Sequence, residues 1–421
     1  MTSFLSLPRE ILLEIVDCLR ADELQYLHAF SRVNKFCHSL VSRYRFRNIH
    51  LTIIGGEQML ETLEHWNDVL ERTQSFPFVR RLSIHCAAPA HGPMPEGDDQ
   101  HLYVLEDDIY KQCLHDEDEW ARFGDLYCCL GGLYWIRLRG QPSLALDDVW
   151  VPLAEFLKKL LGLEDLLWIG IAQFPVYLLQ VLHEDIPTCR LHLRDFFPDV
   201  DRDGNSGMHV CDRMIATSPS LSSIATTVAH GVYEYEQQAT MQMAAGAAPN
   251  LTQVFFHYED SHPPEDRHGP LPPKVNWFEG SPGKAASGLR VLGLHESSFD
   301  DMTPDELDYW SNHASFENLR VLQLHTFGNE FLLDNAYNYK FPSLKTLSLD
   351  LSISKDNIKN RQDTAFLMDR VASDFVSSLA LLKSFCLSGT YVEKKPFKPL
   401  FKITGHPCKD WASSHSTAKI G

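Results

Sequence analysis

The sequence predicts an α/β protein in which a short, wholly helical N-terminal segment precedes a solenoid of alternating strands and helices with a parallel sheet. Two observations lead to this fold class. Apolar residues recur at helical spacing through the first fifty residues, and a phrase of the form apolar-x-x-apolar-x-apolar then recurs along the rest of the chain. Strand and helix patterns that alternate in this way are typical of stacked repeats, none of which buries its apolar face alone.

Three helices are predicted in the N-terminal segment. The first begins at Leu7-Pro8, because a proline in the first turn gives up no hydrogen bond. Asp22, with Gln25 three residues later, has the form of a capping box for the second helix, and Ser31 is predicted to cap the third. The apolar stripes of the first and third helices are Ile11, Leu12, Ile15, Val16 and Leu19, and Val33, Phe36, Cys37, Leu40, Val41 and Tyr44.

The recurring phrase predicts the strands, because its last two apolar residues are two apart and face the same side. An unrelated α/β domain with alternating elements is the alternative to a solenoid. The copies of the phrase begin at Phe46, Val79, Leu133, Leu163, Thr188, Leu221, Leu251, Leu289, Leu319, Leu344 and Leu382. Helical patterns between them occupy Gln58–Glu71, Val149–Leu161, Val176–Leu182, Thr303–Ser311 and Thr364–Leu379.

Two insertions interrupt this array, at residues 87–132 and 259–283. Within the first, Glu96–Glu119 contains ten acidic residues and one base, Lys111, and we expect a solvated or mobile excursion rather than a recognition loop. The second contains six prolines, which cannot donate ladder hydrogen bonds, and is predicted to be a mobile edge loop. Residues 391–421 are predicted to form a basic cap or tail.

The distribution of charge bears on the choice of partner. The net charge of the chain is −18; residues 51–390 carry −24 and residues 391–421 carry +4. Such an acidic body argues against general nucleic-acid binding, which needs a basic surface. It favours a basic protein partner instead.

Cysteine usage and the N-terminus predict a location in the cytoplasm, the nucleus or both. The ten cysteines are scattered and none forms a Cys-x-x-Cys pair, which favours free thiols over a disulfide framework. The first eight residues lack the basic and apolar regions of a signal peptide. The longest uncharged stretch, Leu166–Leu182, is interrupted by glycine, glutamine and proline, so no membrane-spanning helix is expected.

No metal site, cofactor or catalytic residue is predicted. The motif Asp199-x-Asp201-x-Asp203-Gly204 begins like an EF-hand loop, but Val210 occupies the position that requires a bidentate glutamate. His183, Cys189 and His192 lack a fourth zinc ligand and are interpreted as ordinary surface and core residues. We therefore expect a binding protein rather than an enzyme.

The N-terminal segment resembles an F-box. The resemblance rests on Leu7-Pro8-Arg9-Glu10-Ile11-Leu12 and on the apolar spacing as far as Leu40, and it covers residues 4–48. In that family the helices dock on the Skp adaptor of SCF-type cullin-RING ubiquitin ligases. Without the resemblance, the stripes indicate a generic three-helix cap. The adaptor-binding residues that it implies are Leu7, Pro8, Glu10, Ile11, Leu12, Ile15, Leu19, Leu24, Val33 and Phe36.

The recurring phrase resembles the start of a leucine-rich repeat of the long, irregular kind, and an F-box followed by such repeats is similar to many fungal F-box proteins. The resemblance implies an F-box domain at 4–48, a leucine-rich-repeat-like domain at 49–390 and the basic cap or tail at 391–421. Residues between the strand leucines line the concave face of such a solenoid. The substrate-binding residues predicted there are Arg290, Gly293, Arg320, Gln323, Lys345 and Ser348.

The resemblance implies a non-catalytic, substrate-recognition subunit of an SCF-type ubiquitin ligase. The F-box would bind the Skp adaptor, and the repeats would hold an unidentified protein substrate, so that ubiquitin transfer becomes effectively intramolecular. The alternative is a Skp-binding or scaffold protein that acts outside a ubiquitin ligase. No cofactor, nucleic-acid partner or membrane partner is expected.

Overall fold

A computed structural model describes residues 7–22, 24–53, 56–86, 147–170, 174–194, 196, 208–229, 234–259, 276–278, 287–296, 304–325, 339–350, 379, 382 and 384–388. Among these residues, no helix combines the length and the apolar composition that crossing a bilayer requires. The acidic insertion, the Asp199–Gly204 motif and the predicted C-terminal cap or tail lie outside the described residues, as does most of the proline-rich insertion.

Three helices pack together at the N-terminus: α1 (Arg9–Asp22), α2 (Leu24–Ser31) and α3 (Lys35–Arg45). The first begins directly after Pro8, as predicted. The sequence-based placement of the third cap at Ser31 is wrong, because Ser31 ends α2. Asn34 caps α3 instead, and its Oδ1 accepts a hydrogen bond of 2.8 Å from the backbone N–H of Cys37. Asparagine is as favourable as serine at this position, so local preference does not distinguish the two.

Ten strands form one parallel sheet within the described residues, and their order in the sheet is their order in the chain. Each strand therefore pairs only with its neighbours in sequence. The predicted parallel sheet is confirmed, and every strand lies on a copy of the apolar phrase. The strands are β1 (Asn48–Ile53), β2 (Arg81–Cys86), β3 (Asp165–Gly170), β4 (Arg190–Arg194), β5 (Leu221–Ala229), β6 (Gln253–Glu259), β7 (Val291–Glu296), β8 (Val321–His325), β9 (Thr346–Asp350) and β10 (Ser384–Ser388).

One predicted strand has no place between its expected neighbours. The phrase at Leu133 predicts a strand between those that begin near Val79 and Leu163, but β2 pairs directly with β3, from Arg81 opposite Asp165 onwards. Residues 133–138 lie outside the described part of the chain. Because β2 and β3 form hydrogen bonds to each other along their length, no further strand lies between them.

Helices occupy most of the described connections between strands, and four of the five predicted helical patterns coincide with them. The fifth, Thr364–Leu379, lies outside the described residues except for its last residue. The helices and the alternate strand residues that face them form one main hydrophobic core. The helices are α4 (Gly56–Thr73), α5 (Val151–Lys159), α6 (Val176–Glu184), α7 (Val210–Ala216), α8 (Glu234–Gln242) and α9 (Pro304–His313), with short 3₁₀ turns at Phe76–Phe78 and Asp147–Trp150 and a π turn at Met243–Ala247.

The helical segment joins the sheet without a flexible linker. Only Phe46 and Arg47 separate α3 from β1. Phe46 belongs to the main core of the array. The carbonyl oxygen of Arg47 accepts hydrogen bonds from the backbone N–H groups of Arg80 and Arg81, at 2.8 and 2.9 Å. The point of attachment is therefore itself part of the folded sheet.

The side chain of Arg80 also stabilises this end of the sheet. Its Nη1 donates hydrogen bonds to the carbonyl oxygens of Pro77, Val79 and Gly162, at 2.7, 3.2 and 2.9 Å. Its Nε also lies 3.1 Å from the Glu164 carboxylate. One guanidinium thus satisfies the turns that precede both β2 and β3.

We expect Gly162→Ala to destabilise the protein by about 1–2 kcal/mol. A Cβ at this position would overlap the Arg80 guanidinium and would lie 2.9 Å from the Pro77 carbonyl oxygen. Arg80 would have to leave its carbonyl partners. Urea unfolding checks the prediction, with Gly56→Ala as the control, because a Cβ at Gly56 meets nothing within 4 Å. Equal stability of the two variants would contradict it.

Candidate functional site

The sequence predicts one apolar stripe on α1, but in the structure part of this stripe is buried and part of it is exposed. Leu12 and Val16 are fully buried, and Val16 packs with Leu27 and Val41 in a small core among the three helices. Ile11 is 40% exposed, because consecutive helical residues point about 100° apart. Only part of the stripe is therefore available to a partner.

Five large apolar side chains of the helical segment remain exposed, and we call them the N-terminal apolar surface. The described part of the chain has eleven exposed large apolar side chains, and five of them fall between residues 7 and 36. We expect exposed apolar side chains that are this close in sequence to take part in an interaction surface. The five are Leu7, Ile11, Tyr26, Val33 and Phe36, with exposed fractions of 38%, 40%, 46%, 64% and 44%.

The remaining residues predicted to bind the adaptor have mixed environments. Pro8 and Glu10 are exposed, whereas Ile15 and Leu19 are half-buried. Leu24 is the first residue of α2. Sequence reasoning missed Tyr26, because a tyrosine in a short, weakly patterned helix gives no periodic signal that separates surface from core.

Three of the predicted substrate contacts lie at the edge where strands begin. Arg290 and Arg320 are exposed and Lys345 is half-buried. Each residue directly precedes the first residue of its strand, in β7, β8 and β9 respectively. The structure thus brings these three residues together along one edge of the sheet.

The other predicted substrate contacts lie on the strand face opposite the helices. Gly293, Gln323 and Ser348 are in register across β7, β8 and β9. Gln323 and Ser348 are only 1% and 3% exposed. A substrate could contact Gln323 and Ser348 only if this face of the sheet became more exposed than it is in this structure. Arg290 and Arg320 are already exposed and need no such change.

A buried polar network on the same face was not predicted. Asp165 of β3 accepts at Oδ1 from Arg190 Nε at 2.8 Å and from His192 Nε2 at 3.0 Å. Arg81 Nη2 lies 3.2 Å from the other carboxylate oxygen. His192 Nδ1 is 2.7 Å from the Ser223 hydroxyl oxygen. One carboxylate therefore joins side chains from β2, β3 and β4, and His192 extends the network to β5.

The register of the sheet builds this network. Arg81, Asp165 and Arg190 are directly opposite one another in three successive strands, an arrangement in which opposite charges stabilise a pair of strands. The register then shifts between β4 and β5, and the shift places Ser223 opposite His192. Irregularities of this kind redirect side chains. Sequence alone shows neither the pairing nor the shift.

The network fixes the charge of its members. Burial alone would raise the pKa of Asp165, but the hydrogen bond from His192 and the charges of Arg81 and Arg190 together lower that pKa well below its ordinary value. Burial lowers the pKa of His192 by more than the Asp165 carboxylate raises it. His192 is therefore neutral at neutral pH. Since a carboxylate only accepts, Nε2 carries the proton, and Nδ1 accepts from the Ser223 hydroxyl.

Serine, histidine and aspartate joined by hydrogen bonds are also the residue types of a hydrolytic triad. Here, however, Ser223 is 2% exposed and His192 is 3% exposed, so neither reacting atom is open to a substrate in this structure. The Asp165 carboxylate is also shared with two guanidinium groups, whereas a triad carboxylate serves its histidine. We interpret the network as a structural connection among four strands.

The residues considered for zinc have separate partners. His183 Nε2 lies 2.8 Å from the Ser218 hydroxyl oxygen. The Cys189 thiol contacts the carbonyl oxygen of Arg190, and burial raises the pKa of this thiol to about 12. Within the described residues, no three potential metal ligands gather into one group.

Comparison with known proteins identifies the N-terminal segment. The family model of the F-box domain matches residues 4–48, a range that contains α1 to α3 and ends where β1 begins. No curated protein matches the chain. The predicted F-box is confirmed, and this domain indicates an SCF-type, Skp-binding adaptor, a class that is generally non-catalytic.

Proposed function

We propose that this protein is the substrate-recognition subunit of an SCF-type cullin-RING ubiquitin ligase. One observation carries the proposal: the N-terminal apolar surface lies within an F-box domain. Burial of exposed apolar side chains is the main favourable term in most protein association. In this proposal, that surface binds the Skp adaptor, and the adaptor connects the chain to the cullin and the RING subunit.

The strand–helix array is the substrate-binding part in this proposal. Its strands follow chain order in one parallel sheet, which supports an irregular leucine-rich-repeat-like solenoid over an unrelated α/β domain. Arg47 is hydrogen-bonded to both Arg80 and Arg81 across β1 and β2. A substrate on the array would therefore keep a defined position relative to the adaptor, which raises its effective concentration at the ligase.

The proposal places the protein in the cytoplasm or nucleus, where such ligases act. Five cysteines in the described part of the chain carry free thiols: Cys18, Cys37, Cys86, Cys189 and Cys211. Free thiols are typical of a reducing compartment. A Skp-binding scaffold that acts without a cullin remains the second candidate, and co-purification of the cullin with the tagged full-length chain distinguishes the two.

We expect the double substitution Ile11→Asp and Phe36→Asp to abolish co-purification of the Skp adaptor. Both side chains are exposed on the N-terminal apolar surface, and loss of a central apolar contact costs an interface about 2 kcal/mol or more for each residue. The measurement is the amount of adaptor retained by the tagged chain, with the melting temperature as a check on folding.

The matched control places two aspartates on exposed apolar positions elsewhere. Leu161 is 77% exposed and Val210 is 63% exposed, and both lie outside the F-box. The control variant, Leu161→Asp with Val210→Asp, should retain the adaptor at the wild-type level. Retention of the adaptor by a folded Ile11/Phe36 variant would refute the assignment of this surface.

A further inference from the structure

The strands β7, β8 and β9 begin with a row of positive charges, which we call the strand-entry row: Arg290, Arg320 and Lys345. The backbone N–H of Arg320 donates to the carbonyl oxygen of Arg290, and that of Lys345 donates to the carbonyl oxygen of Arg320, both at 2.8 Å. Since paired strands lie about 4.8 Å apart, the three residues are neighbours spanning about 10 Å.

These three side chains have no partner in the part of the chain that the structure describes. No side-chain hydrogen bond or ion pair involves Arg290, Arg320 or Lys345. Glu317, three residues before Arg320, is exposed and forms no ion pair with it. Among the described residues, the row is therefore a positive edge that no side chain compensates, on a chain whose residues 51–390 carry −24.

The same position at the other end of the sheet shows the contrast. Arg80 directly precedes β2, and Glu164 directly precedes β3. Their side chains form an ion pair of 3.1 Å, so a cation and an anion alternate on neighbouring strands. In the strand-entry row three cations follow one another instead. Like charges in adjacent positions of a sheet repel, and an anionic ligand would relieve this repulsion.

We propose that the strand-entry row binds an extended, acidic segment of the protein substrate. This inference rests on the proposed function and specifies the substrate class. The net charge alone favours a basic substrate, but binding is decided by the charges nearest to the contact, because solvent ions screen more distant ones over about 8–10 Å.

The spacing of the row fits an extended peptide. Such a peptide rises about 3.3 Å per residue, so acidic groups three residues apart span the same 10 Å as the row. Two arginines and one lysine supply several N–H donors, and the planar arginine fork binds both carboxylates and phosphates. The shared chemistry is clustered negative charge, which glutamate, aspartate or phosphoserine can supply.

The test uses the full-length chain in complex with its Skp adaptor. Fluorescence anisotropy measures the binding of an oligoglutamate peptide, of a phosphoserine peptide of equal charge and of an oligolysine peptide, at low and at high salt. The variant Arg290→Gln, Arg320→Gln, Lys345→Gln removes the row. The matched control, Arg72→Gln, Lys158→Gln, Lys159→Gln, removes three positive charges from partly exposed side chains on α4 and α5.

The expected result is that the row variant binds an acidic peptide about 10- to 100-fold more weakly than wild type at low salt, whereas the control changes little. The acidic peptide that binds wild type more tightly shows whether the row prefers carboxylate or phosphate. The proposal is overturned if neither acidic peptide binds wild type, if both variants lose affinity equally, or if oligolysine binds more tightly than either acidic peptide.

The outcome is separable from the proposed function. The row variant should retain the Skp adaptor at the wild-type level, because Arg290, Arg320 and Lys345 lie outside the F-box. Loss of peptide binding with the adaptor retained supports the inference. Failure of the Ile11/Phe36 test would instead affect the ligase assignment and leave the peptide measurement interpretable. Binding of polyuridine is measured in the same way. If the row variant loses affinity for polyuridine as strongly as for the acidic peptide, the proposal of a protein segment is overturned.

Discussion

Replacing Asp165 by alanine is expected to destabilise the protein by about 3–5 kcal/mol, the range typical when one partner of a buried ion pair is removed. The carboxylate is the shared acceptor for Arg81, Arg190 and His192. Its removal leaves the Arg81 charge, whose side chain is 15% exposed, without this partner. Urea unfolding of wild type and variant at neutral pH measures the difference.

Glu164→Ala provides the matched control. Glu164 is the adjacent residue in sequence, but its side chain is 53% exposed and pairs with Arg80 at the surface. Exposed ion pairs contribute about 0–1 kcal/mol, so the control should lose far less stability than Asp165→Ala. Similar losses in the two variants would show that the network does not hold the four strands together.

The network should also make stability depend on pH. Both groups have folded pKa values below their unfolded values, which are near 6.5 for His192 and 3.8 for Asp165. The unfolded chain therefore binds protons that the folded chain does not, and stability falls as pH decreases through each of these values. In Asp165→Ala the decline below about pH 4 should be smaller than in wild type.

Leu322→Asp is expected to unfold the centre of the array. Leu322 is 0% exposed and lies in register between Leu292 of β7 and Leu347 of β9, which are also 0% exposed. A carboxylate there loses its hydration and has no partner, at a cost of several kcal/mol unless it is protonated. Limited proteolysis should show cleavage that spreads to both neighbouring strands, because each unit packs on its neighbours.

Asn318→Asp is the control, since this residue is exposed in the turn just before the same strand. It introduces the same carboxylate without burying it, so its proteolysis pattern should match that of wild type. A Leu322 variant as resistant as the control would mean that this phrase does not contribute a core strand.

The F-box and the parallel sheet were predictable because their signals are local. The recurring phrase places apolar side chains two apart, and this spacing suffices to fix one face of a strand wherever a neighbour is present. The strand predicted at Leu133 does not lie between β2 and β3, because those two strands pair directly. Residues 133–138 themselves lie outside the described residues. In the helical segment, periodicity identified the apolar stripe. The resemblance to an F-box then assigned both Ile11 and Leu12 to the adaptor surface, although the two are exposed and buried respectively.

The sequence by itself therefore determined the ten strands, most of the helices and the F-box segment, because these depend on neighbours within a few residues. It did not indicate α7 or α8, whose patterns are short or weakly amphipathic. Only the tertiary structure decided the chemistry of the sheet. Asp165, His192 and Ser223 lie on three strands and meet through parallel pairing and one shift of register, and no local pattern encodes that meeting. The strand-entry row is likewise a set of isolated cations in sequence. It becomes a positive edge because strand pairing places residues 30 and 25 positions apart within about 5 Å of each other.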